Sequence, residues 1–143
     1  MGFADHVPAL GAFQPGKDHP DWSDSEAGQI IVAHGTSRGP ILHRLFERRV
    51  YPIRNIRLSA FCLATRRYSA AAGFALEGLR LASSPNPDLL LNAGHAFYAL
   101  KKWELARLCY SRLEELGVLR RHPRDPAFQL ARERLRRLEA LSP

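Results

Sequence analysis

The sequence predicts an all-α fold: a short array of helical hairpins, about five or six helices, behind an extended irregular N-terminal arm. Three observations carry that prediction. From about position 40 onward, apolar residues recur every three or four positions, the period of a helix with one buried face. Two helix starts are spelled out, at Asn86-Pro87-Asp88 and at Asp125-Pro126. Part of the chain also repeats: Arg66-Arg67-Tyr68 aligns with Lys101-Lys102-Trp103 at an offset of 35 residues, close to the roughly 34-residue period of helix–turn–helix solenoids.

Each element follows in order. Residues 1–39 hold Pro8, Pro15, Pro20, Gly11, Gly16, Gly28, Gly35 and Gly39 without a sustained period, which reads as an irregular arm. Within it Ile30-Ile31-Val32 reads as a strand or an anchor, and Trp22, Ile30, Ile31 and Val32 are the candidate anchors on a partner. The helical domain spans 40–143. Ile41, Leu42, Leu45, Phe46 and Arg49 predict a short helix ending near Tyr51-Pro52. Ile53, Ile56, Ala60, Leu63 and Ala64 predict the next, closed by a tight turn at Thr65–Tyr68. An alanine-rich helix covers about 69–82 and is broken at Ser83–Pro87. Asn86 is an N-cap, with Pro87 at the first helical position and an acid behind it. That predicts a helix over 87–100. The following helix, 102–116, ends at Gly117, a left-handed C-cap candidate. The last, about 126–141, carries Phe128, Ala131, Leu135 and Leu138 at heptad-like spacing and reads as a C-terminal capping helix.

Composition bounds the function classes. The chain has 143 residues, 45% hydrophobic and 24% charged, enough for one domain with a real core and too few for most two-domain enzymes. No apolar run approaches the ~18 residues that cross a bilayer. The N-terminus lacks the charge pattern of a signal peptide or an Arg-rich presequence. Cys62 and Cys109 both fall in apolar helical patterns, which is not a disulfide framework. The expectation is an intracellular, reducing compartment, cytoplasm or organelle matrix. The net charge is +7 but uneven. Residues 1–37 hold one base against five acids, and the remainder holds 20 bases against nine. A basic body implies an anionic partner, and the acidic arm could lie across it.

The repeat extends beyond the turn. At the same offset Ala71 falls on Ala106, Ala75 on Tyr110 and Leu81 on Leu116, while Gly78 falls on Leu113. Leu90, Ala93, Gly94 and Phe97, followed by Ala106, Tyr110 and Leu113, make Pro87–Arg120 resemble a tetratricopeptide repeat. The preceding unit, about 53–86, is degenerate, with Ser59 or Ala60 for the glycine and Cys62 or Leu63 for the aromatic. The physical logic agrees: small Gly94 and Ala106 let two helices approach, and Phe97, Trp103 and Tyr110 fill the space between hairpins. The resemblance implies protein binding through a groove lined by first helices. By matching position its side chains are Asp88, Leu91, Asn92, His95, Tyr98 and Ala99. They depart from the Lys/Asn/Arg set by which chaperone-binding members clamp a carboxylate.

Motifs for catalysis are weak. The six histidines make no His-x-x-x-His pair, and no Cys-x-x-Cys occurs, so zinc has little support. Gly35-Thr36-Ser37-Arg38-Gly39 fits neither a dinucleotide fingerprint nor a P-loop. No cofactor and no small-molecule substrate are expected. Two basic clusters remain. Arg44, Arg48, Arg49, Arg54 and Arg57 form one; Arg120, Arg121, Arg124, Arg132, Arg134, Arg136 and Arg137 form the other. Arginine suits bidentate phosphate contacts, but no nucleic-acid module accompanies them. A membrane-surface role for helix 126–141 is less suited than capping. The sequence therefore reads as a non-enzymatic protein–protein interaction module, an accessory or scaffold subunit of a larger complex. The alternatives are an RNA-associated subunit using the arginines and an assembly or secretion chaperone.

Overall fold

The computed structural model describes residues 21–33, 51–82 and 86–141. Every regular element among them is a helix: α1 (Asp24–Ala33), α2 (Tyr51–Ala64), α3 (Tyr68–Leu81), α4 (Pro87–Ala99), α5 (Trp103–Glu115), the single turn α6 (Val118–Arg121) and α7 (Pro126–Leu141). The all-α prediction holds. The expected helix over 40–50 lies outside the described residues. The chain at Tyr51-Pro52, expected to close that helix, instead opens α2, where a proline in the first turn loses no intrahelical bond. The turn α6 was not anticipated.

The helices pack as hairpins in two layers. α2 pairs with α3 and α4 with α5, and α3 packs on α4. α2, α4 and then α7 follow side by side, with α3 and α5 behind them. α1 lies across α3 and α5. α3 is therefore enclosed on several sides, and its composition follows. Ala70, Ala71, Ala72, Gly73, Phe74, Ala75, Leu76, Gly78 and Leu79 are all buried, too many for one face of an amphipathic helix. Two buried glycines set the spacing. A Cβ on Gly94 would stand 2.7 Å from Cε1 of Tyr110, so α4 and α5 need a bare backbone there. A Cβ on Gly78 would stand 2.8 Å from Cβ of Asn55, which fixes α3 on α2.

The offset of 35 residues reappears in the backbone. Arg66 and Lys101 both have φ of 62°. Arg67 N–H donates to the Cys62 carbonyl (2.7 Å) as Lys102 N–H donates to Phe97 (2.9 Å), and Arg66 to Leu63 as Lys101 to Tyr98, both 3.1 Å. These are the paired bonds of a Schellman turn, closing each first helix with a left-handed residue. Other helix ends match their sequence signals. Asn86 accepts from Leu89 N–H at 3.1 Å. Asp125 accepts from Ala127 N–H at 2.9 Å. Gly117 is left-handed, φ 74°.

The described part of the N-terminal arm corrects the irregular reading. Asp24–Ala33 is helical, and Ala27 and Ile31 are buried on the body. The signal overlooked is a capping box at Ser23–Glu26: Glu26 N–H donates to Ser23 Oγ (3.1 Å) and Ser23 N–H to Glu26 Oε1 (3.2 Å), satisfying two orphan donors reciprocally. Gly28, counted as a breaker, lies inside the helix, where a Cβ would only touch Leu105 and Leu108 at 3.9 Å.

Candidate partner interface

Helix α4 carries the six residues expected to line a groove. Their neighbours differ along its length. Asp88 is exposed and Leu91 is buried. Asn92 donates to Ser59 Oγ at 2.9 Å, so this stretch faces α2. His95 and Tyr98 face the chain's own last helix. Arg134 of α7 reaches between them: its Nη1 donates to His95 Nδ1 at 3.1 Å and to Tyr110 Oη at 3.4 Å. Its guanidinium also sits 4.3 Å over the Tyr98 ring. Tyr110 Oη and His95 Nδ1 are 2.8 Å apart, and Tyr98 meets Trp103 edge-on at 5.1 Å. The helix taken for a solvating cap thus fills the His95–Tyr98 end of the expected groove.

The electrostatics of that seat follow from burial. Desolvation first, and then the Arg134 cation, push the His95 pKa from 6.5 down to about 4, because both penalise a charged imidazole. The ring is neutral at pH 7. Its Nδ1 is the acceptor, since Arg134 can only donate. Tyr110 is shifted upward by burial and keeps its proton. Burial also raises both free thiols, Cys62 to about 11 and Cys109 further, so neither is a thiolate nucleophile at neutral pH.

The arm anchors separate. Ile31 is buried and Ile30 half-buried, while Val32 is 64% exposed. Trp22 Nε1–H donates to the Gly73 carbonyl at 3.4 Å. Lys102 pairs with Asp24 at 2.8 Å. Trp22 and Ile31 therefore anchor on this chain's own body, which corrects their expected place on a partner; Val32 alone points away. It lines an open groove of about 820 Å³ between α1 and α5, with Gly28, Trp103, Leu105 and Leu108. Trp103 is 44% exposed. Sequence reasoning missed this groove because one wall belongs to a helix it did not expect.

The arginines divide as well. Arg44, Arg48 and Arg49 lie outside the described residues. Arg120 and Arg121 are exposed. Arg120, Arg132 and Arg136 gather around one surface concavity, but Glu114, Glu115 and Glu139 line it too. Arg132 is further engaged, donating to the Leu119 carbonyl. Three carboxylates among three guanidiniums leave this patch balanced in charge, so it offers no concentrated positive field. No described helix is long and apolar enough to cross a membrane.

The fold defines a small all-α hairpin array. Compared with known proteins, the chain matches no family model, no curated protein and no solved structure.

Proposed function

We propose that the chain is a non-enzymatic protein-binding module, an accessory or scaffold subunit, and that it takes its partner in the α1/α5 groove. The observation that carries this reading is the apolar wall of Val32, Trp103, Leu105 and Leu108, with Val32 and Trp103 exposed. A large exposed aromatic beside an aliphatic wall is what a partner's anchor residue buries against. The tetratricopeptide-like hairpins support the same reading by resemblance. The charge-balanced arginine concavity weighs against phosphate binding as the main function.

The test is affinity capture with the tagged full chain, repeated with nuclease and across increasing salt. Val32→Asp and Trp103→Ala are expected to reduce a captured protein at least tenfold, and Arg136→Ala to leave it. Far-UV circular dichroism checks that each variant folds. A partner lost on nuclease treatment with a steep salt slope makes the protein an RNA-bound subunit instead.

A further inference from the structure

The contacts of α7 with the hairpin are of two kinds. Phe128, Ala131, Leu135 and Leu138 bury an apolar stripe. Arg134 inserts into a seat built from His95 and Tyr98 of α4 and Tyr110 of α5. The seat is unusual in its charge. A partly buried arginine is ordinarily met by a carboxylate, yet among the described residues the groups that meet Arg134 are an imidazole nitrogen, a phenol and an aromatic face. The contact to His95 holds only while Nδ1 keeps its lone pair.

The geometry points to an acid-sensitive latch: Arg134 holds α7 on the hairpin through His95 and Tyr110, and protonation of His95 releases that helix. A proton on Nδ1 removes the acceptor. It also sets a second cation 3.1 Å from Arg134 Nη1. The groups facing the ring are Tyr110 from α5, Arg134 from α7 and the Ala127 carbonyl at the start of α7. Among the described residues, Arg134 is the one charge that shifts it. The Ala127 backbone favours the protonated ring, but burial and the Arg134 cation outweigh it. α2 meets α4 through Asn92 and Ser59 instead.

The sign follows from linkage. The docked pKa of about 4 lies below the ordinary 6.5. Docking is therefore fully supported above pH 6.5, weakens as pH falls, and has lost this contribution below about pH 4. With an undocked His95 titrating at 6.5, the docking constant drops roughly 20-fold between pH 7 and pH 5. Release uncovers the apolar stripe of α7 and the aromatic seat on α4 and α5 together. The latch stands independently of the α1/α5 groove.

Hydrogen–deuterium exchange on the full chain, corrected for the intrinsic rate at each pH, reads the latch helix by helix. Protection of α7 is expected to fall roughly 20-fold from pH 7 to pH 5, while α3 keeps its protection. His95→Asn places an acceptor oxygen near the Nδ1 position and takes no proton, so its α7 should be equally protected at both pH values. The latch is overturned by wild-type α7 that is indifferent to pH, by α3 opening together with α7, or by the same acid loss in His95→Asn. Should that variant not fold, the wild-type comparison of α7 with α3 decides alone.

Discussion

At the scale of single residues, two glycines and one asparagine set the helix spacing. Gly94→Ala would drive a methyl toward the fully buried Tyr110 ring, 2.7 Å away. That ring edge cannot retreat without breaking its contacts to His95 and Arg134. We expect a loss of about 1–3 kcal/mol by urea denaturation; an unchanged midpoint would show that α4 and α5 have slack. Gly94 was legible in the sequence, because its place beside Ala93 and Phe97 already demanded close approach. Gly78 was not. Paired with Leu113 it looked like a flaw in the repeat, whereas a Cβ there would meet Asn55 on α2 and Leu89 on α4. Asn55 itself gave no signal. It is fully buried, and its amide donates to the Phe74 carbonyl at 2.7 Å, a long-range pairing that no local pattern announces.

At the scale of elements, the hairpins were readable and the N-terminal helix was not. α4, α5 and α7 carry explicit end signals, so their bounds fall within a residue of those expected. α1 has a capping box but a modest apolar face, and Gly28 interrupts its middle. Its helix exists because Ile31 and Trp22 find the surface of α3 and α5, and tertiary burial outranks weak local propensity. Ile31→Ala should therefore cost about 2–5 kcal/mol of global stability, although the residue sits in a nominal arm. Val32→Ala, one position on and exposed, should stay within about 0.5 kcal/mol. Thermal melts of the two variants separate the cases. Equal small effects would mean that α1 rests on the body without contributing to its stability.

At the scale of the whole molecule, the chain is a pair of like hairpins closed at one side by α7 and crossed behind by α1. The sequence carried the pairing because a repeat is a one-dimensional signal. It could not carry which surface stays open, since that depends on where α1 and α7 come to lie. Arg134 shows the difficulty: in the sequence it is one of seven arginines in a basic run, and only packing sets it over Tyr98 and against His95. The duplicated turn has a consequence of its own. Arg66 and Lys101 each hold a left-handed backbone that costs a side-chain-bearing residue about 1 kcal/mol. The two turns behave as interchangeable parts. Arg66→Gly and Lys101→Gly should each raise stability by about 0.5–1 kcal/mol. Lying in separate hairpins, the gains should sum in the double variant. A shortfall in that sum would reveal that the hairpins are mechanically coupled, so that relaxing one hinge redistributes strain to its copy.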